Sequence, residues 1–134
     1  MKMKKLILIL LFSTVMFSSP SYAEWTKVGE GTSTMNRGNA YYVDFERIRK
    51  HDGYVYWWDL TDFLKPTSQG HLSAKTYSQG DCKLFRIKRL SSSYHTQLGG
   101  DGTSDITHNV PDKEWTYPSP NSADEVILKE VCNQ

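Results

Sequence analysis

The chain has 134 residues, with 16 Lys+Arg against 15 Asp+Glu, two Cys, 38% hydrophobic residues and 13% aromatic residues. That length suits one domain. The charge balance argues against a nucleic-acid binder, which would be clearly basic, and the apolar content argues against disorder. No apolar run long enough to span a bilayer occurs beyond the N-terminus.

Residues 1–23 have the layout of a secretory signal peptide. Lys2, Lys4 and Lys5 precede an apolar stretch from Leu6 to Phe17, and Ser21 and Ala23 supply small residues before a cleavage point after Ala23. No Cys follows that point, so no bacterial lipid anchor is encoded there. Removing these 23 residues leaves 111, a domain at 24–134, with 13 Lys+Arg against 15 Asp+Glu and a net charge of −2. The expected location is therefore the periplasm or the cell surface.

Cys82 and Cys132 are the two cysteines. An even count in an exported chain fits one disulfide, worth about 4 kcal/mol for a loop of this length. A metal pair or a redox pair fits less well, because there is no C-x-x-C and no His near either Cys.

In chain order, Glu24–Gly29 alternates apolar and polar residues as a first strand would, and Gly29–Gly38 reads as a polar loop. A second strand follows in Ala40–Phe45, with Tyr41, Val43 and Phe45 pointing one way. Glu46–Gly53 then reads as a turn closed by Asp52-Gly53. The strongest strand signal is Tyr54–Phe63. Tyr54, Tyr56, Trp58 and Leu60 lie on one face, Val55 and Trp57 on the other, so both sides should be covered. Gly70–Ser78 is a weaker strand. Cys82–Leu90 is another, which would place Arg86 and Lys88 on the same face as Cys82 and Leu84, opposite Phe85 and Ile87. Gly99, Gly100 and Gly102 mark a mobile turn.

The last element is a helix. Ser122 and Glu125 form a capping box, Asp124 and Glu125 occupy its first turn, and Ala123, Val126, Ile127 and Val131 form an apolar stripe. Too short to be stable alone in water, it must pack on the sheet, and a Cys82–Cys132 bond would hold it over the Cys82 face. Strands first and one terminal helix last give an α+β fold, mainly antiparallel.

Catalytic and cofactor-binding motifs are absent: there is no G-x-S-x-G, H-E-x-x-H, P-loop or G-x-G-x-x-G. His51, His71, His95 and His108 lack ligand spacing, so no metal or cofactor is expected. Asp59 and Asp62 fall on opposite faces of their strand and cannot act as an acid/base pair there without a bulge. Asp101–Asp105 lacks the closing Glu of a calcium loop. Two features suit binding. One is aromatic density, from Trp25, Trp57, Trp58, Trp115 and several Tyr. The other is the basic group Lys83, Arg86, Lys88 and Arg89, which would form a positive stripe on a strand and would equally protect an edge strand from aggregation. Those four residues with Trp57 and Trp58 are the candidate contact residues.

Several blocks together resemble the surface-adhesin protein E family of Gram-negative bacteria. They are Trp25 with Val28, the run Tyr41–Gly53 (YYVDFERIRKHDG), Trp58-Asp59-Leu60 with Asp62, Ser73-Ala74-Lys75, Asp81-Cys82, Trp115 with Pro118, and the segment Ser122–Cys132. The resemblance implies a small antiparallel sheet with a disulfide-held C-terminal helix. It also implies homodimers and adhesion to host matrix or plasma proteins such as vitronectin, laminin and plasminogen. The function expected is that of an exported, non-enzymatic envelope protein binding another macromolecule. The alternatives are a soluble periplasmic accessory or inhibitor with a bacterial partner, and a small hydrolase using His and Asp.

Overall fold

The structure is a computed structural model and describes residues 23–32 and 38–134. Apart from Ala23, the segment read from the sequence as a signal peptide lies outside the described residues. Seven strands form one antiparallel sheet: β1 (Thr26–Thr32), β2 (Gly38–Val43), β3 (Arg49–His51), β4 (Tyr54–Phe63), β5 (Ser73–Asp81), β6 (Arg86–His95) and β7 (Ser104–His108). Their order is β1-β2-β4-β5-β6-β7, with β3 also paired to β4. One α-helix, α1 (Ala123–Cys132), follows. The fold is thus α+β and mainly antiparallel, with the helix held by the Cys82–Cys132 disulfide at a Cα–Cα distance of 5.7 Å.

β4 occupies the span that its alternation marks out. β2 and β3 both pair with its same edge, β2 along Asp59–Phe63 and β3 along Tyr54–Tyr56. Between them the chain makes a 3-10 turn at Phe45–Arg47. Phe45 is therefore not a strand residue, although it still packs on the core with Tyr41 and Val43. Glu46–Gly53 is likewise more than a turn: it contains β3, and Asp52 and Gly53 close the hairpin with φ of 51° and 82°, the left-handed pair that a two-residue hairpin requires.

The core lies between α1 and one face of the sheet. Val43, Val55, Trp57 and Ile87 meet Ile127, Leu128 and Val131 there, and Val43, Leu128 and Val131 are fully buried. Ser122 caps the helix by accepting from the Glu125 N–H at 3.2 Å. The return bond of the capping box runs from the Asn121 N–H to Glu125 Oε1 at 3.3 Å, one residue before the cap. Leu128, absent from the stripe read off the sequence, is among its most buried residues.

Other boundaries differ too, and the strand expected at Gly70–Ser78 is β5, three residues further on. The loop expected at Gly29–Gly38 is partly strand, since β1 runs on through Thr32 and β2 begins at Gly38; the remainder lies outside the described residues. Gly29, where the expected first strand ends, lies within β1 and faces Val126 of the helix. Residues 82–85 form the β5–β6 turn rather than a strand, so strand alternation does not apply to them. Asp81 builds that turn by accepting from the N–H groups of Lys83 and Leu84, both at 3.1 Å. As a result α1 and the disulfide lie on the Phe85 and Ile87 side, and Arg86 and Lys88 face the opposite way. Finally, the glycine segment is a 3-10 turn, Leu98–Gly100, hydrogen-bonded to the sheet: Gly99 N donates to Asp62 Oδ1 at 2.8 Å and Gly100 N to Ser73 Oγ at 3.0 Å. β7 follows it, a short polar edge strand with little sequence signal.

Candidate functional site: the open face of the sheet

Because α1 covers one face, the side chains that alternate to the other face are left without a helix. Tyr54, Tyr56 and Trp58 of β4 point there, all half-buried. Register places Trp58 opposite Tyr77 of β5. The two rings stack with centroids 5.0 Å apart, and Tyr56 lies 6.3 Å from Tyr77. Gln79, opposite Tyr56, donates to its hydroxyl at 3.1 Å.

At the end near β3 the row is extended by Trp115, which belongs to no strand. After β7 the chain continues along the edge of β6, pairing Asp112 with Arg89 and Thr116 with Ile87 through backbone hydrogen bonds. Thr116 lies opposite Ile87, and its neighbour Trp115 turns to the open face beside Tyr54, with ring centroids 5.5 Å apart. The Arg86 guanidinium lies 4.4 Å and the Lys88 ammonium 4.9 Å from the Trp115 ring centroid. Cations over an aromatic face are attracted by its quadrupole, at a cost in hydration that a wet surface keeps small.

The six candidate contact residues do not form one stripe. Arg86 and Lys88 share the open face. Arg86 also pairs with Asp81 through Nε–Oδ2 at 3.0 Å, which offsets part of its charge. Arg89 stands on the helix side, where its Nη2 meets Asp124 Oδ2 at 2.9 Å. Lys83 is exposed in the β5–β6 turn. Trp58 lies on the open face, whereas Trp57 is 1% exposed beneath the helix and cannot contact a partner. Sequence alternation could find Tyr54, Tyr56 and Trp58 as one row. It could not find Tyr77 or Trp115, whose placement depends on cross-strand register and on the path of an irregular segment.

The histidines lie apart from this face or are buried. His51, exposed at the end of β3, meets Asp52 at 3.1 Å. His71 is 1% exposed and His95 5% exposed. The His95 Nε2 lies 2.8 Å from Ser93 Oγ, and its Nδ1 is 3.5 Å from the Gly102 carbonyl rather than from a carboxylate. Asp59 and Asp62 take opposite faces: Asp59 Oδ2 accepts from Trp57 Nε1 at 2.9 Å, Asp62 from the Gly99 N–H. Among the described residues no group of three or more His, Cys, Asp or Glu is placed to hold a metal, and no helix is long and apolar enough to cross a membrane.

The molecule is thus a meander sheet carrying one disulfide-held terminal helix, with an aromatic face left open. The sequence profile described as Surface-adhesin protein E matches residues 25–133, and the chain belongs to that family. Among solved structures it is similar to Haemophilus influenzae protein E. One structure of that protein aligns at a TM-score of 0.53 and 15% identity over 81% of this chain and 93% of that one. A second crystal form aligns at 0.55 and 15% over 69% and 80%. The protein from a non-typeable strain aligns at 0.56 and 12% over 86% and 79%. No curated protein matches.

Proposed function

We propose that this chain is an exported, non-enzymatic envelope adhesin that grips a macromolecular partner with the open face of its sheet. The observation carrying this reading is the row Trp115, Tyr54, Tyr56, Trp58 and Tyr77, flanked at one end by Arg86 and Lys88. Rigid, half-buried rings offer apolar contact area at low entropic cost, and the cations favour an acidic segment alongside. Host matrix and plasma proteins, the partners implied by the family, present such surfaces. The homodimer implied by the family would bury the same row.

The test is binding to immobilised vitronectin and laminin by the protein and by its Arg86→Glu/Lys88→Glu and Trp115→Ala variants. Expected are binding that weakens with rising salt and at least a tenfold loss in each variant, measured at a temperature well below each variant's melting point because Arg86→Glu also removes the ion-pair partner of Asp81. Equal binding by all three would remove the open face as the site. Signal on intact cells supports surface display; release by osmotic shock would favour the periplasmic accessory. The hydrolase alternative calls for a His beside a carboxylate in a cleft; His95 instead meets Ser93 Oγ at 2.8 Å, and covalent labelling of Ser93 by a fluorophosphonate would overturn the non-enzymatic assignment.

A further inference from the structure

The helix is much shorter than the strands it covers. Ten residues of α1 span about 15 Å, whereas ten residues of β4 span about 33 Å. Along β4 the helix-facing side chains change where the cover ends: Val55 and Trp57 lie beneath α1, and Asp59 and Thr61 lie beyond its N-terminus. The facing β5 positions also turn small, as Ala74, Thr76 and Ser78. A cavity of about 290 Å³ results between the sheet and the first turn of α1. It falls near the lower limit for small-molecule sites.

We propose that this cavity binds a small, uncharged, hydroxyl-rich molecule the size of one sugar ring. The lining sets the class of ligand. Thr61, Thr76 and Ser78 offer hydroxyls that both donate and accept. Asn39 lines the same space, and its buried Oδ1 has no hydrogen-bond partner. An unsatisfied buried acceptor costs roughly 1–3 kcal/mol, and a ligand hydroxyl would relieve it. Tyr41, Trp57 and Tyr94 supply aromatic wall for the C–H face of a ring. A charged ligand finds no free counter-charge: Arg89 and Asp124 are paired with each other at 2.9 Å, and Asp59 accepts from the Trp57 indole. This site faces away from the adhesive row and does not rest on the adhesin reading.

The experiment uses protein purified from the exported fraction, titrated with glucose, galactose, mannose and N-acetylglucosamine and followed by ¹⁵N–¹H correlation spectra. The Trp57 indole N–H, bonded to Asp59 at the cavity wall, is the reporter. At least one sugar should shift it saturably, together with the backbone amides of Asn39, Thr76 and Ala123, and Thr61→Val with Thr76→Val should weaken that binding about tenfold. The wild-type titration decides by itself if the double variant fails to fold. Absence of a saturable shift at Trp57 with all four sugars overturns the proposal. So do shifts confined to Trp58 and Trp115.

Discussion

The closeness of helix and sheet rests on one residue without a side chain. A Cβ on Gly80 would come 2.7 Å from Trp57 Cζ3, 2.9 Å from Leu128 Cδ1 and 3.0 Å from Val55 Cγ1. Trp57 and Leu128 are fully buried, so neither can swing into solvent to make room. Gly80→Ala should therefore destabilise the protein by about 1–3 kcal/mol through overpacking, read as a lower denaturation midpoint at unchanged slope. Gly29 is the internal control. A Cβ there meets Val126 Cγ1 at 3.7 Å, an ordinary contact, so Gly29→Ala should leave the midpoint nearly unchanged. Equal effects at both positions would mean that α1 can ride outward from the sheet without cost.

At the scale of elements, α1 depends on its attachments. Ten residues are marginal as an isolated helix, and this one is held by its buried Ile127, Leu128 and Val131, by the Ser122 cap and by the bond to Cys82. Replacing both cysteines by serine should lower stability by about 2–4 kcal/mol. Hydrogen exchange should then accelerate more in α1 than in β4 and β5. Uniform acceleration would show instead that the helix opens only with the whole molecule, so that the bond acts on the unfolded chain alone. Much of this architecture is legible locally. β4 announces itself by its run of aromatic and β-branched residues from Tyr54 to Phe63, and α1 by Ser122 and its apolar stripe. Three pieces are not. β3 and β7 are short polar strands whose pairing comes from neighbours distant in sequence. The turn at 82–85 resembles strand because Phe85 and Ile87 keep an even spacing, yet Asp81 hydrogen bonds and a positive φ of 54° at Phe85 reverse the chain there. That one error of period transfers the helix to the wrong side of β6. The basic residues read as one stripe by their closeness in sequence, although alternation already parts them: the sheet sends Arg86 and Lys88 one way and Arg89 the other. The aromatic row is half legible: alternation aligns Tyr54, Tyr56 and Trp58, but only the folded register adds Tyr77 and Trp115.

The whole molecule presents two unlike faces of one sheet, one open and aromatic, the other sealed by α1 except at the cavity, and the sealed side carries a pH dependence. Desolvation at the cavity wall is the main cause that raises the Asp59 pKa from 3.8 to about 7, assisted by the Asp124 charge and opposed by the Trp57 N–H and Arg89. The folded state therefore holds a proton that the unfolded chain has released between these two values. Across that window stability from Asp59 falls as pH rises, and above pH 7 the loss is complete. Two other groups act in the opposite direction. Burial lowers the pKa of His95, so its contribution is lost as pH falls below 6.5. The Asp81 carboxyl is desolvated too, but hydrogen bonds from the Leu84 N–H and Arg86 outweigh this and hold its pKa below 3.8, so its contribution is lost in more acidic solution. The summed curve is thus compressed, and the Asp59 component must be isolated by difference. Asp59→Asn keeps an acceptor for Trp57 and removes the titration. The stability of the wild type minus that of the variant should fall between pH 4 and pH 7, with a slope approaching 1.4 kcal/mol per pH unit, about the limit for one proton, and should be flat above. Denaturant melts of both proteins at half-unit pH steps measure it, and a difference independent of pH would place Asp59 in contact with bulk water rather than in a desolvated cavity.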